Sequence, residues 1–158
     1  MEEKDLKVAQ GLYDTYCKVL EDLGFTFEKH PEDLCVILRL SGKDMPHRVL
    51  FRINDKAEMI HLIEYLPFEI DEAYVREVAL AAGYMNHMMT AGKVSLTPKN
   101  EVLFEMTSFY TESLISKALI EKMLRWFVLT VEDYDDKIAA VNKGYIKAID
   151  AIKKEEPK

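Results

Sequence analysis

Between Asp71 and Ser108 the hydrophobic period of the chain changes once, and that change limits the folds open to it. Val75, Val78, Ala79, Ala82 and Met85 recur three or four residues apart, the spacing that gathers side chains on one face of a helix. After Met89, Gly92 permits a turn and the period drops to two: Val94 and Leu96 alternate with Lys93, Ser95 and Thr97. Pro98, Lys99 and Asn100 supply a second turn, after which Val102, Phe104 and Met106 alternate with Leu103, Glu105 and Thr107. A helix with one apolar face, followed directly by a hairpin, must lay that face on an apolar surface. The stretch therefore predicts α+β structure, with Asp71 capping the helix start and Asn86 ending it.

On the N-terminal side, Leu6, Ala9, Tyr13, Cys17, Leu20 and Leu23 step by three and four, which predicts a helix over about residues 3–23. Gly24 stands where a left-handed helix stop belongs. Phe25 and Phe27 flank Thr26 in a short extended piece, which Pro31, Glu32 and Asp33 interrupt. Three alternating runs follow, from Leu34 to Leu40, from His47 to Ile53 and from Glu58 to Leu66, separated by Ser41-Gly42-Lys43-Asp44 and Asn54-Asp55-Lys56. Connections this short make antiparallel neighbours, and Pro67 is expected to end the third strand.

Beyond the hairpin, Ser108, Thr111 and Ser113 offer helix caps, and Leu114 to Leu129 is apolar apart from Ser116, Lys122 and a stripe of Lys117, Glu121 and Arg125. Val128, Thr130 and Val131 are poor helix formers, so a kink or break is expected there. A last helical segment over 132–153 carries Tyr134, Ile138, Val141, Tyr145, Ile149 and Ile152 on one stripe, with Gly144 against its continuity. A single domain over 1–158 results, with segment 132–153 as an extension.

The net charge of −7 and pI near 5.2 oppose nucleic-acid binding, because no run of Lys or Arg supplies a patch to displace phosphate counterions. No secretory signal or membrane span is apparent, so a cytoplasmic protein without membrane contact is expected. Cys17 and Cys35 are too few for a zinc site, and Cys17 falls on an apolar helix stripe as a buried thiol would. Met85, His87, Met88 and Met89 could in principle hold a soft metal, but Met85 and Met89 lie on the core stripe. No cofactor or metal is expected. Phosphate loops, nucleophile elbows and zinc-protease motifs are missing from the sequence. The adjacent carboxylates Glu32-Asp33, Asp71-Glu72 and Asp135-Asp136 read as caps or solvated faces, so no enzyme is expected.

Two surfaces stand out. The second face of the first three strands carries Ile37, Arg39, Arg48, Leu50 and Arg52, with His61, Ile63 and Tyr65. Large apolar groups interleaved with arginines suit an extended peptide, since apolar pockets take side chains while guanidinium forks hold carboxylates or carbonyls. A plain solvated or dimer-covered face would have a similar pattern. The surplus apolar surface of Leu114, Ala118, Trp126 and Phe127 is either buried between sheet and final helix or a homodimer contact.

The apolar helix Val75 to Met85 with Asn86, Gly92-Lys93-Val94-Ser95-Leu96, the turn, Val102 to Met106 and the following Leu114 to Trp126 resemble a YbjN-type domain, whose fold is shared with type III secretion chaperones. The resemblance implies a five-stranded antiparallel sheet with helices packed on one side, in the order α-βββ-α-ββ-α(α), and commonly a homodimer. It also implies a chaperone-like or regulatory module, since secretion chaperones of this fold hold a partly extended client segment against their surface. The alternative from the residues alone is a small-molecule-binding or enzymatic domain with a pocket between sheet and helices.

Overall fold

Glycine at the ends of two helices, and alternation within the longer strands, account for most of the architecture. The computed structural model describes residues 2–110 and 115–153, with side chains from residue 5 onward. Helix α1 spans Glu2–Asp22, followed by strands β1 (Phe27–His30), β2 (Cys35–Leu40), β3 (His47–Asn54) and β4 (Met59–Glu69). Helix α2 (Val75–Met88), strands β5 (Lys93–Leu96) and β6 (Glu101–Phe109) and helix α3 (Lys117–Asn142) complete the order, with a short 3-10 helix at Ala148–Ile152. The strands form one sheet in the order β1-β2-β3-β4-β6-β5.

The sheet is antiparallel α+β as expected, but it has six strands rather than five. The sixth is β1, which pairs with β2 through Phe27↔Leu38 and His30↔Cys35. The sequence shows this piece only as a short extended stretch that Pro31, Glu32 and Asp33 interrupt. It is secured by the 3-10 turn at Pro31–Asp33, which lets Leu34 take a left-handed conformation at φ 49° and reverses the chain onto β2.

By its internal contacts the chain divides into two units, Met1–Glu64 with Glu105–Val128, and Tyr65–Phe104 with Leu129–Lys158. In the first, α1 buries Ala9, Leu12, Tyr13, Tyr16, Val19 and Leu20 and packs on β3. The rings of Tyr16 and Phe51 stack with centroids 3.5 Å apart and planes 7° from parallel. Val36, Leu38, Val49, Phe51, Ile53, Ile60 and Leu62 occupy the alternate strand positions that face this core, and Ile120, Leu124 and Phe127 join it from α3. The helix ends where Gly24 adopts φ 74°, with Gly24 N–H donating to Glu21 and Phe25 N–H to Leu20, as a left-handed stop requires.

In the second unit Val78, Ala81, Ala82 and Met85 of α2 are buried, with Val94, Val102, Phe104, Val131, Ile138 and Val141. Asp71 acts slightly upstream of its expected role. Its carboxylate accepts from Ala73 N–H at 2.8 Å and its carbonyl from Tyr74 N–H at 2.8 Å, forming a turn from which α2 begins at Val75. Asn86 does not end the helix, which runs on to Met88; its amide instead bonds to Val94 on the edge strand β5, both ways at 2.8 Å.

Three further expectations are corrected. Pro67 lies inside β4 and is exposed, and the strand continues through it to Glu69. Thr130 breaks nothing: α3 runs unbroken from Lys117 to Asn142, because burial of Phe127, Val131 and Ile138 outweighs the weak propensity of a few β-branched residues. The helix over 132–153 ends instead at Gly144, with φ 70°, Gly144 N–H donating to Val141 and Tyr145 N–H to Ala140. The start of α3 is capped by Ser116, whose Oγ accepts from Leu119 N–H at 3.2 Å; Ser108 lies in β6, and Thr111 and Ser113 fall outside the described residues.

Candidate functional site

Strand alternation decides which side chains share a surface, and register decides which stand side by side. In the first unit, β2, β3 and β4 pair as Ile37↔Leu50↔Ile63, placing three partly exposed apolar side chains in a row across the sheet. One step along, Cys35, Arg52 and His61 form a second row, extended by His30 on β1. One step the other way, Arg39 stands opposite Arg48. Arg39, Arg48 and Arg52 are exposed, and they are three of the chain's five arginines, so an acidic protein carries a locally basic face here.

The arginines are not equivalent. Glu28 on β1 accepts from Arg39 Nη2 at 2.8 Å and from Nε at 3.2 Å, and this hydrogen bond holds its carboxyl below the ordinary range. Among the described residues, Arg48 and Arg52 make no ion pair or side-chain hydrogen bond. His61 Nδ1 lies 3.4 Å from Thr107 Oγ1 of β6. Burial pushes the Cys35 thiol up, against the pull of Arg52, so it is no ready nucleophile.

Seven of the eight face residues read from the sequence therefore fall in one unit on one surface. Tyr65, half exposed, belongs to the second unit. Glu28 was not foreseen, because its place depends on β1 being a paired strand. Of the apolar surplus on α3, Ala118 is exposed, Trp126 is 49% exposed, and Phe127 is 2% exposed and packed within the chain. Leu114 falls outside the described residues.

Sequence reading also passed over a buried pair on the core side. His47 and Glu64 are each 2% exposed, and His47 Nδ1 stands 2.9 Å from Glu64 Oε1, which also accepts from Arg48 N–H at 3.3 Å. The available signal was Glu64 itself, a carboxylate at an even position among the inward-facing Ile60, Leu62 and Leu66. Gly42 closes over this pair: a Cβ there would overlap the Met45 carbonyl and the His47 ring.

Two grooves in the first unit bear on the small-molecule alternative. One of about 410 Å³ lies among Leu6, Gln10, Glu32, Asp33, Arg52 and Lys56, and one of about 370 Å³ among Tyr13, Cys17, Glu21, Asp22 and Lys29. Both have charged rims of mixed sign rather than the apolar walls that hold most small ligands. No helix among the described residues is long and apolar enough to cross a membrane.

A search of curated proteins finds no match. Among solved structures the fold is similar to that of Escherichia coli YbjN, described as "a putative transcription regulator", with a TM-score of 0.58 and 12% identity over 78% of this chain and 91% of that one. The sequence model of the YbjN family, described as "Putative bacterial sensory transduction regulator", matches residues 13–140. With most of its length under that model, and a fold to go with it, the chain belongs to the YbjN family.

Proposed function

We propose that this protein is a non-catalytic regulatory module that holds a segment of a partner protein on the exposed sheet face of its first unit. The observation that supports this most is the apolar row Ile37, Leu50 and Ile63, bordered on one side by Arg48 and on the other by Arg52. Apolar side chains left partly open keep their water until a partner covers them, and the guanidiniums beside them can pair with that partner's carboxylates. A family description of a regulator agrees with binding rather than turnover.

The test is recovery of tagged protein from its own cells beside a variant with Arg39, Arg48 and Arg52 reversed to glutamate. Capture of one or a few proteins, lost with the variant, supports the reading; capture unaffected by the reversal contradicts it. Nucleic acid recovered with the wild type and sensitive to nuclease would favour a different class of partner. The exposed Ala118, Leu119 and Trp126 of α3 suit a contact between two copies, so Trp126 emission should shift on dilution together with a fall in mass.

A further inference from the structure

We infer that the segment held on this face is an amphipathic α-helix lying along β3, with carboxylates one turn on either side of its apolar contact. This rests on the partner-binding reading above and adds the conformation and charge of the partner. The first observation is topological. Free sheet edges belong to β1 and β5, whereas the arginines and the apolar row sit on β2, β3 and β4, whose two neighbours are both strands. A segment cannot add to the sheet there and must be met face-on. An extended segment laid flat would leave its N–H and C=O groups without ladder partners, while a helix satisfies its own.

The second observation is spacing. Along β3, Arg48, Leu50 and Arg52 share the exposed face, so the outer two are four residues apart, roughly 13 Å at about 3.3 Å per residue. Helix positions one turn before and one turn after a central residue span eight residues, about 12 Å at 1.5 Å each. Across the strands, Ile37 to Ile63 covers two strand spacings, roughly 10 Å, which is about the width of a helix with its side chains.

The third observation is charge. Glu28 already engages Arg39, which leaves Arg48 and Arg52 as the guanidiniums that seek carboxylates. The partner then has the pattern acid, three residues, large apolar residue, three residues, acid.

Two synthetic peptides test this against the full-length protein. One is a lactam-stapled helix with Glu at both outer positions and Leu at the centre; the other carries Glu, Leu and Glu at alternate positions and is held extended by flanking prolines. Binding is read by titration and by the amide shifts of Ile37, Leu50 and Ile63. The helical peptide is expected to bind, to bind R48E/R52E about tenfold more weakly, and to regain affinity there when its acids are exchanged for lysines. Melting curves confirm that the variant is folded. Equal or tighter binding by the extended peptide, or helix binding indifferent to R48E/R52E, overturns the inference. Arginine-dependent capture of a cellular protein alongside failure of the helical peptide removes only the helix and leaves the partner-binding reading standing.

Discussion

Replacing Asn86 by alanine should destabilise the second unit out of proportion to the few atoms removed. The side-chain amide imitates a neighbouring strand: Nδ2 donates to the Val94 carbonyl and Oδ1 accepts from Val94 N–H, each at 2.8 Å. Val94 is 1% exposed, so truncation leaves a buried donor and a buried acceptor unsatisfied on an edge strand. At about 1–2 kcal/mol for each, N86A should lose about 2–4 kcal/mol. For a chain of this size that lowers Tm by roughly 5–15 °C. Hydrogen exchange should report the loss first at the Val94 amide.

N86D separates hydrogen bonding from size. Its carboxylate keeps the bond from Val94 N–H but sets an oxygen against the Val94 carbonyl, which favours the protonated acid in the folded state. The folded pKa is then raised above the unfolded value of about 3.9, so N86D recovers stability relative to wild type as pH falls toward about 4. A loss under about 0.5 kcal/mol for N86A would show that water replaces the amide and would refute the reasoning.

Other predictions follow from single contacts. Glu64→Ala should cost about 3 kcal/mol by stripping His47 of its buried carboxylate, measured by urea denaturation, whereas Glu64→Gln, which keeps the acceptor, should cost clearly less. Gly144→Ala should destabilise more than Gly11→Ala, because Gly144 has φ 70° and Tyr74 fills the space a Cβ needs, while Gly11 has nothing within 4 Å; thermal melts of the pair decide this. The Glu28 carboxyl should titrate below its usual 4.5 by NMR and return toward it in R39Q. Since the folded value is the lower one, this contribution is present above the unfolded value and fades as pH falls through the folded one. Burial raises the Tyr16 phenol, so absorbance at alkaline pH should show it ionising only on unfolding; the associated stability is full below about 10 and declines above it.

What could be read from the sequence was whatever period and punctuation determine. Alternation in β2 and β3 placed Arg39, Arg48 and Arg52 on one face, and Gly24 marked a helix end by the conformation only glycine takes cheaply. The misses have two causes, burial overriding local preference and pairing between segments distant in sequence. Thr130 and Val131 look like a break, but Val131 is fully buried and α3 passes through it. Asn86 looks like a helix terminator, and its true partner, Val94, lies eight residues on in a strand whose place no local rule supplies. Likewise β1 shows in the sequence only as a short extended piece with no sign of its pairing, so Glu28 could not be matched with Arg39. Pairing of His47 with Glu64 depends on two strands meeting in register, which alternation narrows but does not state.

The most direct test of a partner held on the sheet face is site-specific photocrosslinking in the protein's own cells, with a photoreactive phenylalanine at Leu50 and, as a control, at Asp14 on the exposed side of α1. The account predicts a discrete crosslinked protein from position 50 that disappears when Arg48 and Arg52 are reversed, and none from position 14. Crosslinks of the same identity and yield from both positions, or an adduct at position 50 that survives the reversal, would contradict it.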